Sequence, residues 1–100
     1  MDIKFDIRDF VKTTTIQSIT IELVKNVKAK RKEFKLSQRL LAQKSGVSYA
    51  SIRRFESTGD ISLTSLLKIA SALNCLNDFS ALFADKQIKN LKDLKIWLKI

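Results

Sequence analysis

The chain has no histidine, no proline, one cysteine (Cys75) and only two glycines, Gly46 and Gly59. Without histidine and with a lone cysteine, neither a Cys/His zinc site nor a Ser-His or Cys-His catalytic arrangement can be assembled. Paired carboxylates and a phosphate-binding glycine loop are missing as well, so no enzyme activity, cofactor or metal is expected. One cysteine makes no internal disulfide, which fits a reducing compartment. No apolar run is long enough to span a bilayer. The opening MDIKFDIRDF mixes acids and bases where a secretory leader has an apolar stretch, so a cytoplasmic protein is expected. The missing proline and scarce glycine speak against a many-stranded sheet with its turn residues and for helices joined by short turns.

What is present is one domain's length of chain, 100 residues, with an ordinary globular balance of apolar and charged side chains. Nineteen Lys and Arg stand against ten Asp and Glu, a net charge of +9. The excess is local. Between Lys25 and Arg54 lie ten basic residues (Lys25, Lys28, Lys30, Arg31, Lys32, Lys35, Arg39, Lys44, Arg53, Arg54) and one acid, Glu33, while the remainder is balanced at nine against nine. A basic excess confined to one stretch points to a polyanion, either nucleic acid or an anionic membrane face. A plain solvated surface is the alternative.

Three regions follow from the pattern. In residues 1–14, Ile3, Phe5 and Ile7 alternate with Lys4, Asp6 and Arg8, as in a short strand or ordered arm. Residues 15–84 read as a compact all-α bundle of four to five short helices. Ile16, Ile19, Leu23, Val27 and Phe34 recur near helical spacing, giving a first helix from Ile16 to about Glu33. Ser37 caps a second helix that Gly46 stops in left-handed fashion. Ser48 caps a third, to about Ser57, with Thr58-Gly59-Asp60 as the next turn. Ser62 caps a fourth through Leu73, and Asn77 a fifth that takes in Phe79, Leu82 and Phe83. In the tail 85–100, Ile88, Leu91, Leu94 and Leu98 share a helical side, yet Ile96, Leu98 and Ile100 alternate as a strand does.

The two helices around Gly46 carry the functional signal. At 100° per residue Leu41, Ala42 and Ser45 share one side of the second helix, with Leu40 opposite. In the third helix Ile52 and Phe55 face inward with Glu56 at their edge. The opposite arc holds Ala50, Arg53, Arg54 and Ser57, with Tyr49 at its margin. Two helices joined by a short glycine-containing turn, the second presenting small, polar and arginine side chains, form a helix-turn-helix suited to the major groove.

The run LSQRLLAQKSGVSYASIRRFESTGDISLTSLLKIASAL resembles the Cro/repressor-type helix-turn-helix domain, the XRE family, whose fold is lambda-repressor-like. The marks are Leu36-Ser37-Gln38, Leu41-Ala42, Ser45-Gly46-Val47-Ser48, Ile52, Phe55-Glu56 and Ser62-Leu63. The variant RRFE-x-x-G-x-ISL-x-x-LLKIA is similar to antitoxins of the HipB kind. The resemblance implies that Gln38 contacts a phosphate and braces the reading helix. It implies that Ser48 caps that helix and touches the backbone, and that Tyr49, Ala50, Arg53 and Arg54 face base edges. Arginine takes guanine bidentately and Ala50 can pack on a thymine methyl. Tyr49 is as readily a packing lid. Lys35, in the basic cluster before the motif, is a candidate phosphate contact. Arg31 and Glu56 match a structural pair joining the first helix to the end of the third. Leu40 departs from the family, which has a polar residue there.

The expected function is a sequence-specific transcriptional regulator without catalysis, a dimeric repressor on an operator with two half-sites about 34 Å apart. As an antitoxin it would regulate its own operon. The alternative is an interaction module whose main role is to neutralise a HipA-type kinase toxin. Double-stranded DNA and a second copy are the expected partners, in the nucleoid. A membrane-surface role is disfavoured, because the first helix has no apolar face beyond core needs. Cys75 reads as a small core residue, Trp97 as part of a tail packed on its own domain or else as a dimer or partner anchor, and the fifth helix and the tail 85–100 as candidate dimer surfaces.

Overall fold

The computed structural model describes residues 14–84. The arm before Thr14, the tail 85–100 and Trp97 lie outside the described residues. Among the described residues five helices follow one another: α1 (Ile16–Glu33), α2 (Gln38–Ser45), α3 (Tyr49–Thr58), α4 (Leu63–Ala72) and α5 (Asn77–Ser80). Among the described residues there is no strand.

Each of the first four helices begins where a hydroxyl side chain can accept an unpaired backbone N–H. Thr15 accepts from the Ser18 N–H, and Ser18 accepts in return from the Thr15 N–H, a reciprocal cap. Ser37, Ser48 and Ser62 accept from the N–H groups of Leu40, Ser51 and Ser65. Gly46 and Gly59 end α2 and α3 at φ +81° and +84°, where a side chain is strained. α1 and α4 are capped by Phe34 and Leu73, and the next residues, Lys35 and Asn74, take the left-handed region at about +60°.

Leu41, Ile52, Phe55 and Ile69 are completely buried, with Val47, Leu66, Ala70, Ala72 and Leu73 nearly so. The core therefore sits where α2, α3 and α4 meet. α2 packs on both α3 and α4, and α1 lies against α3.

Two expectations are corrected. The helical spacing groups Ile16 and Ile19 with Leu23, Val27 and Phe34 in one amphipathic helix of a compact bundle, but Ile16 is 88% exposed and Ile19 is exposed as well. The cause is length. Eighteen residues make a rod of about 27 Å, whereas the eight- to ten-residue helices beneath it reach only about 12–15 Å. The first turn of α1 overhangs the bundle, and of the stripe Leu23, Val27 and Phe34 become half-buried, with Val24 beside them. The fifth helix is a single turn that stops at Ser80. Asn77 is its first residue, not its cap, and Leu76 before it makes no side-chain cap. Without a cap or a buried side chain one turn does not propagate, and Leu82 and Phe83 beyond it are exposed. Elsewhere the boundaries move by one residue, α3 running to Thr58 and α4 closing at Ala72.

Candidate nucleic-acid interface

The sequence between α2 and α3 leaves little freedom. The α2 C-cap Gly46 turns the chain, the Val47 N–H donates to Ser45 Oγ, and Val47 drops into the core. Ser48 then caps α3, its hydroxyl donating to Ser51 Oγ while accepting from the Ser51 N–H. With Ile52 and Phe55 anchored in the core, rotation of α3 about its axis is decided. Ala50, Arg53, Arg54 and Ser57 face solvent, as the 100° spacing predicts.

A polar network locks α3 to the rest of the domain. Glu56 is not at the edge of the buried side but in it, 8% exposed, as is Arg31. Arg31 Nε donates to Glu56 Oε2 at 2.8 Å, Nη2 to Oε1 at 3.0 Å, and Nη1 to the Leu36 carbonyl at 2.9 Å. Gln38 Nε2 donates to Glu56 Oε1 at 2.9 Å. One carboxylate thus ties α1 and the start of α2 to the end of α3, and Arg31 carries the tie on to the α1–α2 turn. Burial pushes the Glu56 carboxyl up, but the Arg31 and Gln38 hydrogen bonds, with the Arg31 charge and the more distant Lys28, outweigh it. The group is held below the ordinary glutamate range.

Over this network opens a cleft of about 600 Å³. Lys28 and Gln38 form one side, Ala50, Arg53, Arg54 and Ser57 the other, above buried Arg31 and Glu56. An exposed concavity with three unburied cationic side chains attracts a polyanion and can admit phosphate oxygens. Of the seven residues singled out from sequence, the cleft gathers Gln38, Ala50, Arg53 and Arg54. The amide nitrogen of Gln38 is engaged with Glu56, which is the bracing half of its expected role. Ser48 caps the start of α3, and Lys35 is exposed on the turn before α2; neither lines the cleft.

Tyr49 is half-buried and flanked by two guanidinium groups, Arg39 at 4.0 Å and Arg53 at 5.5 Å from the ring centroid. Its ring is a stacking platform for both arginines. The stacking of Arg39 on Tyr49 is a contact beside the cleft that sequence reasoning missed. The only signal was the place of Arg39 in the basic stretch, since the contact with Tyr49 crosses the turn. Arg54 carries a partner of its own: its Nη2 donates to Asp60 Oδ2 at 2.6 Å. Leu40 is 47% exposed, in keeping with its place opposite Leu41.

Among the described residues no three His, Cys, Asp or Glu side chains stand close enough to share a metal ion. No described helix is long and apolar enough to cross a membrane. Neither a curated protein nor a solved structure matches the chain. The family model described as "Helix-turn-helix" matches residues 27–76, from the second half of α1 to the turn before α5, and so takes in the whole cleft. With half the chain matched, and with α2, the Gly46 turn and α3 placed as that motif requires, the protein belongs to the helix-turn-helix family of DNA-binding domains, of the Cro/repressor (XRE) type.

Proposed function

We propose that the protein is a sequence-specific transcriptional regulator, a dimeric repressor that lays α3 in the major groove of double-stranded DNA. The observation that carries this reading is the division of α3 into two arcs. Ile52, Phe55 and Glu56 are locked inward, and Ala50, Arg53 and Arg54 stand exposed beside a cationic cleft. Arginine forks there can take guanine O6 and N7, and Ala50 can meet a thymine methyl. Gln38, Ser48 and Lys35 sit at the helix starts and the turn around α3, where contacts go to phosphates and fix register. Tyr49, stacked between Arg39 and Arg53, borders the reading arc.

A ten-residue helix covers only a few base pairs, so two copies on half-sites about 34 Å apart supply the specificity of an operator. A second reading has one observation in its favour. An apolar groove bounded by Ile19, Leu23, Leu66, Leu73, Phe79 and Leu82 shares no lining residue with the cationic cleft. DNA binding and a protein contact are therefore compatible on one domain, as in an antitoxin that holds a HipA-type kinase and regulates their common promoter.

The deciding experiment is a salt-titrated mobility shift on the DNA immediately upstream of the protein's own gene, with scrambled competitor. Specific retention near physiological salt supports the regulator. In the same assay Lys35→Ala weakens binding to all sequences alike and flattens the salt slope by about one counterion. Sequence-blind retention that vanishes with salt would overturn the regulator reading and leave the protein contact as the main role.

A further inference from the structure

The exposed arginine Arg54 is held by a closed circuit of hydrogen bonds that begins and ends on itself. Thr58 Oγ1 donates to the Arg54 carbonyl at 2.7 Å. The Asp60 N–H donates to Thr58 Oγ1 at 3.1 Å. Arg54 Nη2 donates to Asp60 Oδ2 at 2.6 Å. The circuit is closed around the C-cap of α3, where Gly59 has φ +84° and donates its N–H to the Phe55 carbonyl at 2.7 Å. That turn packs closely against α1, near enough that a Cβ added at Gly59 would collide with the Thr20 methyl. Asp60 is thus placed by main chain and hydroxyl together, not by chance on a mobile loop.

An ion pair whose two side chains are 67% and 60% exposed adds little to stability. What it changes is the freedom of the arginine. We propose that Asp60, oriented by Thr58, is a positioning residue for Arg54. It holds the guanidinium fork toward the DNA side of α3 and so sets the preference for guanine at one operator position. The carboxylate engages one Nη and leaves the other donors of the planar fork for O6 and N7. A tethered arginine has already lost the rotamer freedom that a free one loses on binding. Arg53, its neighbour on the same arc, is set instead against the Tyr49 ring. A carboxylate on the face that meets phosphates lowers affinity for every sequence, so its effect on binding separates from its effect on selectivity.

The proposal rests on the reading of α3 as the base-contacting helix, and the test keeps the two apart. The full chain selects from a library of randomised duplexes. Affinities are then measured for the preferred duplex and for each single-base variant of it, using wild type, Arg54→Ala, Asp60→Asn, Thr58→Val and Thr58→Ser, with a thermal melt of each. Arg54→Ala abolishes a guanine preference at one position. Asp60→Asn and Thr58→Val cut that same preference about tenfold with the melting temperature unchanged, and leave the other positions alone. Asp60→Asn also binds random duplex as tightly as wild type or tighter, and Thr58→Ser restores the preference. Loss of the preference in Arg54→Ala but not in Asp60→Asn overturns the role of Asp60 and leaves α3 as the reading helix. Failure of the wild type to select any sequence, or an unchanged preference in Arg54→Ala, overturns both.

Discussion

Glu56 shows how much one side chain can decide. Its carboxylate accepts three hydrogen bonds, from Arg31 Nε, Arg31 Nη2 and Gln38 Nε2, and it is nearly enclosed. Breaking such a pair leaves a buried charge without a partner, so Arg31→Ala should cost about 3 kcal/mol or more in a urea titration. The apolar double substitution Arg31→Met with Glu56→Leu should recover most of that loss, because nothing charged is then left inside. The pH dependence has a definite sign. The folded carboxyl sits below the ordinary glutamate range, so its stabilising contribution is complete above the unfolded value of about 4.3 and is lost as pH falls through the lower folded one. Acid unfolding of the double variant, followed by circular dichroism, should lack this component. An equally steep acid loss in both proteins would show that other carboxylates dominate it. From sequence the Arg31–Glu56 pairing was expected and the bracing by Gln38 was expected too. The burial of Glu56 was not, because its distance from the core depends on how α1 and α2 close over α3.

At the scale of the element, boundaries come from chemistry within four residues. Ser37, Ser48 and Ser62 each answer an unpaired N–H three positions on, and Gly46 and Gly59 take left-handed backbone. The two glycines are nevertheless unequal. A Cβ at Gly46 meets open space, whereas one at Gly59 meets the Thr20 methyl on a β-branched side chain with little rotamer freedom. Gly46→Ala should therefore lose only the left-handed backbone cost, about 1 kcal/mol. Gly59→Ala should lose more, since α1 must also move, and the difference appears as a lower urea midpoint. Equal midpoints would mean that α1 yields freely at Thr20. α5 marks where element-level reading fails. Its apolar residues have helical spacing, yet a single uncapped turn with no fully buried side chain has no reason to continue.

For the whole molecule the decisive quantity is relative length. α1 outreaches the short helices it covers, so apolar residues of similar character have opposite fates: Leu41 is sealed in the core and Ile16 and Ile21 face water. Leu41→Ala should cost about 2–5 kcal/mol by thermal or urea unfolding. Ile16→Lys and Ile21→Lys should each stay within about 0.5 kcal/mol of wild type; a large loss at either would place a covering surface over the overhang. By itself the sequence determined the all-helical class, the four main helices to within a residue, the helix-turn-helix and the arc of α3 that faces out. Those features depend on composition, caps and 100° periodicity, which act along the chain. The tertiary structure alone decided that Glu56 is the buried hub, that Arg39 reaches Tyr49, that Arg54 is tethered to Asp60 and that the first turn of α1 overhangs. Each of these depends on the distance and angle between elements, and such distances are set only when the helices pack.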